Sequence, residues 1–352
     1  MIIILDTNAI RSAGFHFRNA SAEALLTYAQ RSAKVKLCVP EIAILELVNL
    51  YHEELVKTID ALDHTLTDLR KLEPHFIEAP AVAVNIDESV SRFDSQLRQR
   101  FAQARVRVLP IPELPHEQVI KRAVAKQKPF DDKGRGYRDS LIWEAVLAEC
   151  ANTNRDVYFI TGDKTNFTVQ GTSPPTLYPQ LKTDLEERAA NCDRFRIFPD
   201  VASFVNDVVT HQLRQLDESA SQLLHDTFPG LKLSDLLKQQ VDHITRTISN
   251  DLPASQSVPH VPSHQGVVLH NFGPIDNVAV YELNAPALYV LFRVPVYCTV
   301  QLPIEASHSL SEVLVEVPMV CAFEYDTTKK TTKGFTADTI PTRPTSQRSS
   351  SR

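Results

Sequence analysis

The chain has 352 residues, 43% of them hydrophobic, and a net charge of −6 at pH 7. That length exceeds one average domain and suits about two. The acidic balance excludes a surface coated in cations for indiscriminate nucleic-acid binding, though not a local basic groove. Five cysteines (Cys38, Cys150, Cys192, Cys298, Cys321) stand singly, with no C-x-x-C pair and no tight Cys/His cluster. This argues against a structural zinc site or a disulfide framework and fits a reducing compartment. The apolar opening Met1-Ile2-Ile3-Ile4-Leu5 ends at Asp6, lacks a basic start and is too short for a secretory core. No apolar run approaches a membrane span. A soluble, cytoplasmic protein is expected.

Ile2 to Leu5 is a continuous β-branched apolar run, which predicts a central strand buried on both faces of a parallel sheet. It stops at Asp6-Thr7-Asn8. Ligands of open α/β sheets gather outside the carboxyl ends of the strands, so Asp6 stands in a functional position. The alternative reading is a strand-terminating turn residue, which the second strand ending in an acid, at Asp163, makes the weaker one. Ala20 to Ser32 is predicted as a helix and Val35 to Val39 as a second strand. Pro40 is expected to open the next helix, because its fixed φ and missing N–H suit a first helical position. That helix carries two acids. Glu41 in the first turn complements the helix dipole. Glu46 lies mid-helix between Leu45 and Leu47, where a carboxylate is costly unless exposed or partnered. Glu46 is the stronger candidate and Glu41 the alternative. Tyr51 to Leu72 continues as a charge-mixed helix. After a break near 73–80, Asp87 to Gln103 is helical, Val106 to Ile111 extended, and His116 to Lys126 a basic helix.

Residues 121–138 hold seven cations (Lys121, Arg122, Lys126, Lys128, Lys133, Arg135, Arg138) against two acids, Asp131 and Asp132. Such a run is commonly a solvated face. This one immediately precedes Asp139, and Lys and Arg are suited to phosphate contacts. Gly134 and Gly136 would let the loop bend. Asp139 then stands where a buried helix should start, running to about Asn152 through Leu141, Ile142, Ala145, Val146 and Ala148. Taken alone, Asp139 reads as a helix cap. Asp156 to Ile160 is another buried strand, and it delivers a second terminal acid through Thr161-Gly162-Asp163. Helix Thr183 to Ala190, strand Phe195 to Phe198 and helix Val201 to Leu216 complete an alternation that implies a parallel α/β sheet.

Composition changes after residue 216. A helix is predicted over Ser234 to Asn250. Asp251 to Gln265, rich in Pro, Ser and His, reads as a linker. Five strands follow: Gly266 to Leu269, Val278 to Leu283, Ala287 to Val294, Val296 to Leu302 and Ser311 to Tyr325. They imply a small, mainly antiparallel β domain. The Thr-, Lys-, Ser- and Arg-rich end from Thr327 has little to bury and is expected to be disordered. The expected division is therefore 1–216, an α/β domain; 217–265, a helical segment and linker; 266–326, the β domain; and 327–352, the tail.

Four carboxylates, Asp6, Glu46, Asp139 and Asp163, stand in plausible register. If they converge, their repulsion must raise pKa values or be relieved by a cation. Oxygen-only ligation selects Mg²⁺ or Mn²⁺. Such metals activate water and stabilise the oxygens of a phosphodiester under attack. Asn8, Ser140, Thr161 and Asn166 are placed to position water or to support the ligands. Lys133, Arg135, Arg138 and Lys164 are placed to meet nucleic-acid phosphates.

These residues resemble the PIN domain family. The resemblance lies in the start Ile4-Leu5-Asp6-Thr7-Asn8, the helix acid Glu46, the helix-start acid Asp139 and the segment Ile160-Thr161-Gly162-Asp163. The run Lys133-Gly134-Arg135-Gly136-Tyr137-Arg138-Asp139 with Leu141-Ile142-Trp143 looks like one bacterial PIN-like branch in particular. The resemblance covers roughly residues 1–210. It implies a Rossmann-like sandwich and a Mg²⁺- or Mn²⁺-dependent ribonuclease acting on RNA. It also implies that Asp6, Glu46, Asp139 and Asp163 form the acidic metal site. The chain departs from compact members in its long segment Leu55 to Pro115 and in its C-terminal β domain. Regulation by an antitoxin-like protein partner and assembly as a homo-oligomer are compatible with this reading. Two other classes compete. One is a non-catalytic RNA- or protein-binding module, disfavoured by the presence of all four acids. The other is an aspartyl phosphotransferase or phosphatase, which normally needs a second Asp where this chain has Asn8.

Overall fold

A computed structural model describes residues 1–72, 84–172, 174–188, 192–251, 267–283, 286–303 and 310–339. The expected break at 73–80, the greater part of the expected linker and the chain beyond residue 339 lie outside the described residues. The chain divides into two compact units, Met1–Arg18 with Ala22–His211, and Asn19–Ser21 with Gln212–Arg352.

The first unit is built on five strands: β1 (Ile2–Leu5), β2 (Lys36–Pro40), β3 (Arg107–Leu109), β4 (Val157–Ile160) and β5 (Phe195–Phe198). They form one parallel sheet in the order β3-β2-β1-β4-β5. β1 lies at the centre and β1 and β4 are buried throughout, as their β-branched and aromatic composition requires. The chain leaves β1 toward β2 on one side and reaches β4 on the other. The crevice between the carboxyl ends of β1 and β4 is therefore where this topology places a ligand.

Helices α1 (Thr7–Ser12), α2 (Ala20–Arg31), α3 (Glu41–Leu72), α4 (Ile86–Gln103), α5 (His116–Val124), α6 (Tyr137–Ala151), α7 (Pro179–Arg188) and α8 (Val201–Phe204) connect and flank the strands. α6 buries Leu141, Ile142, Trp143, Ala145, Val146 and Leu147, and α3 buries Ala43, Ile44 and Leu47. α4 is fastened along α3 by Tyr51 stacked on Phe93, with ring centroids 4.1 Å apart, and by the Arg98 guanidinium donating to both oxygens of Glu41. Three local expectations are corrected. Pro40 closes β2, in register with Leu109, and α3 begins one residue later. α1 replaces the turn expected after Asp6. The helix expected over Val201 to Leu216 is α8, a π-helical turn (Val205–Val209) and a 3₁₀ turn (Thr210–Gln212).

The second unit is an antiparallel sheet with helices on it. Strands β6 (Val267–Phe272), β7 (Asp276–Glu282), β8 (Ala287–Pro303), β9 (Leu310–Asp326) and β10 (Thr331–Thr339) are arranged as β10-β9-β8-β6, with β7 also paired to β8. β8 runs unbroken through Pro295, where two strands were expected. Pro295 faces Pro318 of β9 in register, so at this position the two strands face each other with residues that lack an N–H. Helices α9 (Asp217–Leu224), α10 (Leu233–Gln239) and α11 (Val241–Asp251) share the core of this sheet. Leu223, Leu233, Leu236, Leu237, Ile244 and Ile248 are buried with Val290, Phe292, Val294, Met319, Cys321 and Phe323. Three expectations change accordingly. The boundary falls at Gln212. Residues 217–251 belong to the β unit, with two helices where Ser234 to Asn250 was read as one. The stretch after Thr327 continues into β10, which pairs with β9 and buries Ala337. Its Thr content gives it β propensity despite its polarity. Among the described residues, no helix is long and apolar enough to cross a membrane.

Candidate active site

Asp6 ends β1 and caps α1. One carboxylate oxygen accepts the Thr7 backbone N–H at 2.7 Å and the other accepts the Thr161 hydroxyl at 2.6 Å. The residue is 2% exposed. The next side chain extends the network, since the Thr7 hydroxyl donates to Glu46 Oε2 at 2.8 Å. Glu46 Oε1 pairs with the Arg138 guanidinium at 2.7 Å.

Asp163 follows β4 by three residues. Its Oδ1 accepts from the backbone N–H groups of Thr165 and Asn166 and from the Thr165 hydroxyl, at 2.7–2.9 Å, which holds the turn after the strand. Its own N–H donates to the Thr161 hydroxyl oxygen at 3.1 Å. Thr161 thus ties Asp6 to the Asp163 loop. The Asn166 amide then donates to Asp163 Oδ2 and Asp139 Oδ2, both at 3.0 Å. Asp139 lies in the first turn of α6 but does not cap it. The cap position is Gly136, without a side-chain cap bond, so the carboxylate of Asp139 is left for Asn166 and the cleft.

Burial pushes the Asp6 carboxyl up to about 7, with the negative charges of Asp139 and Glu46 adding to it and the Thr161 and Thr7 donors opposing it. Burial likewise raises Asp139 to about 6, joined by the charges of Asp163 and Glu46 and opposed by Arg138 and Asn166. Each acid lies in the field of others, and two hold protons far above the usual carboxylate range. The donor set is oxygen only, which fits a hard divalent cation in chemistry and in charge. Among the described residues, no three Asp, Glu, His or Cys side chains are grouped so that they could hold a metal ion as they stand. The Asn166 amide sits between Asp139 and Asp163, and Arg138 engages Glu46.

Asp6, Glu46, Asp139 and Asp163 are therefore brought together, with Thr161 and Asn166 between them. Glu41 is not among them, being bound by Arg98. Asn8 is exposed on α1, its Cβ near Gly162. Ser140 departs from expectation: its hydroxyl donates to the Tyr137 carbonyl, within its own helix. Of the four cations, Arg138 reaches the acids. Arg135 is held by Asp131, through Nε at 2.7 Å and its backbone N–H at 2.8 Å, and the Lys133 N–H binds the same carboxylate. Arg135 and Lys133 thus belong to a loop folded on Asp131. Their side chains and that of Lys164 are exposed. The residues missed from the sequence are Thr7, Lys128, Tyr137 and Tyr178. Thr7 adjoined a recognised acid, and its i+1 position was the available signal. Lys128, Tyr137 and Tyr178 line an open cleft of about 940 Å³ together with Glu46, Asp139 and Asn166, and only the folded chain brings Tyr178 there.

Residues 3–167 match the family model described as PIN domain. Comparison with curated proteins and with solved structures returns no match. The matched span includes β1 to β4 and all four acids. The family is in general one of metal-dependent nucleases. The parallel sheet flanked by helices is the fold expected of it. Residues 3–167 of this chain are a PIN domain.

Proposed function

We propose that the crevice at the carboxyl ends of β1 and β4 is the active centre of a Mg²⁺- or Mn²⁺-dependent endoribonuclease. The observation that carries this reading is the continuous hydrogen-bonded chain Arg138–Glu46–Thr7 and Asp6–Thr161–Asp163–Asn166–Asp139, which gathers four acids from four separate elements. Asp6, Glu46, Asp139 and Asp163 would hold the cation. When bound, it supplies an activated water and offsets charge on the phosphate.

The chain's own residues do the rest. Thr161 and Thr7 fix the Asp6 carboxylate by donating to it, which leaves its orientation independent of solvent. Asn166 sets the spacing of Asp139 and Asp163. Arg138 is 59% exposed at its side chain and carries the charge that would meet a substrate phosphate, exchanging Glu46 for it. Lys133 and Lys164 add exposed positive charge around the cleft. Arg135 acts on the shape of the loop through Asp131.

The test is cleavage of labelled RNA, and of the matching DNA, by wild type, Asp6→Asn and Asp139→Asn with Mg²⁺ or Mn²⁺. Both variants should lose roughly 100-fold or more in rate. Equal cleavage by all three would assign the activity to a contaminant and end the proposal. Faster cleavage of the DNA would replace the ribonuclease reading with a deoxyribonuclease one.

A further inference from the structure

We infer that Tyr137 is a specificity-determining residue, the platform on which one unpaired base of the substrate stacks beside Asp139. The inference rests on the nuclease reading above and adds to it how the strand is gripped. Tyr137 is the first residue of α6 and lines the cleft with Glu46, Asp139 and Asn166. It is 49% exposed, in a cleft whose other walls are mostly polar or charged. Its backbone is held in place, because its carbonyl accepts the Ser140 hydroxyl and the preceding Gly136 carbonyl accepts the Ser140 N–H.

The other aromatic ring of the cleft is differently used. The Lys128 ammonium lies 4.5 Å from the centroid of Tyr178 and donates to the Thr165 carbonyl at 2.7 Å. One face of Tyr178 is therefore already covered by a fixed cation. Among the described residues, no ring and no cation stands over Tyr137. Arg138, the cation nearest the acids, is its neighbour in sequence. An exposed ring next to a phosphate-binding charge is what a single strand needs, with a base on the ring and its phosphate on the guanidinium. A duplex cannot offer that base face, since both faces are stacked within the helix. The cleft volume of about 940 Å³ is in the range of sites that enclose a small ligand, which suits a short stretch of single strand.

The experiment uses the full-length protein with Ca²⁺ in place of Mg²⁺, so that the strand is not consumed. Affinities are measured by fluorescence anisotropy for a labelled oligouridylate and for an abasic strand of equal length. Tyr137→Ala should weaken oligouridylate binding roughly 5- to 150-fold, the range of one base–aromatic stack, and leave the abasic strand unaffected. Tyr137→Phe should recover most of the loss, while Tyr137→Leu, of similar bulk but without a ring, should not. The salt dependence of binding should be the same in Tyr137→Ala as in wild type, because no charge is removed. Equal losses on both strands, or wild-type affinity in Tyr137→Leu, would overturn the stacking role while wild-type cleavage kept the nuclease reading. A wild type that binds neither strand and cleaves no RNA would overturn the nuclease reading and this inference with it.

Discussion

Asp6 and Asp139 hold their protons unusually tightly, and this has a signed consequence for the metal-free protein. A carboxyl whose folded-state pKa is raised favours folding when protonated, so its contribution is full below the ordinary carboxylate range. It is lost as pH rises through the folded value, about 6 for Asp139 and about 7 for Asp6. Thermal unfolding in EDTA should therefore show stability falling from about pH 4 to about pH 7, by something on the order of 2–4 kcal/mol per carboxyl. Asp139→Asn should flatten the part between about pH 4 and about pH 6, and Mg²⁺ should restore stability at the alkaline end by mass action. A wild type and an Asp139→Asn variant that decline in parallel would contradict this electrostatic picture. Arg138 gives a second prediction at this scale. Arg138→Ala should weaken RNA binding and reduce its salt slope by about one. Arg135→Ala should do so less, because Asp131 already takes up its charge. A larger effect from Arg135 would show that the Asp131 pair opens for substrate.

At the scale of the element, the acids are aimed by the joint between the basic loop and α6. Gly136 has φ +129°, and a Cβ there would lie 2.6 Å from the Pro129 carbonyl oxygen. Since the obstacle is backbone, Gly136→Ala cannot be relieved by a rotamer change. It should cost roughly 1–3 kcal/mol and displace Arg138 and Asp139 together, lowering cleavage more than stability. The loop is also held from behind. Asp184 of α7 accepts from Trp143 Nε1 at 2.8 Å and from Arg122 of α5, and Arg122 Nε donates to the Lys128 carbonyl at 2.7 Å. Asp184→Ala would leave an indole N–H and a guanidinium, both largely enclosed, without their acceptor. Urea unfolding should show a loss of about 2–3 kcal/mol. A loss within error would mean that solvent replaces the carboxylate.

At the scale of the whole molecule, the two units are organised by different physics. The first is a parallel sheet whose strands are joined by helices, so its residues for chemistry collect at one end of the strands. The second is an antiparallel sheet sharing one core with α9, α10 and α11. Its outer strand β10 lies in a stretch whose composition suggests disorder, yet it pairs along β9 from Thr331 to Thr339. Truncation after Lys330 should leave the outer edge of β9 unpaired, its other edge still on β8, and uncover the side of the core that Ala337 closes. The expected outcome is a clear fall in urea midpoint, together with a loss of β signal in circular dichroism. A truncated chain as stable as the full one would return this segment to the tail.

The parallel sheet, the acids at the ends of β1 and β4, and Asp139 near the start of α6 were legible in the sequence because each is a local pattern. A β-branched apolar run ending in an acid carries both the strand and the position of the carboxylate at its end. What a side chain touches is not local. Glu41 and Glu46 stand about 140° apart around the same helix, and only the packing of α4 and α6 against α3 assigned the first to Arg98 and the second to Thr7 and Arg138. The capping role available to Asp139 passed to Gly136, which no side-chain rule would choose. β10 was hidden because its stability lies in pairing with β9 rather than in its own apolar content. The sequence by itself determined the alternation that builds the parallel sheet and that four acids are available near one end of it. The tertiary structure decided which partners hold them, because hydrogen bonds and burial are settled between residues far apart in the chain.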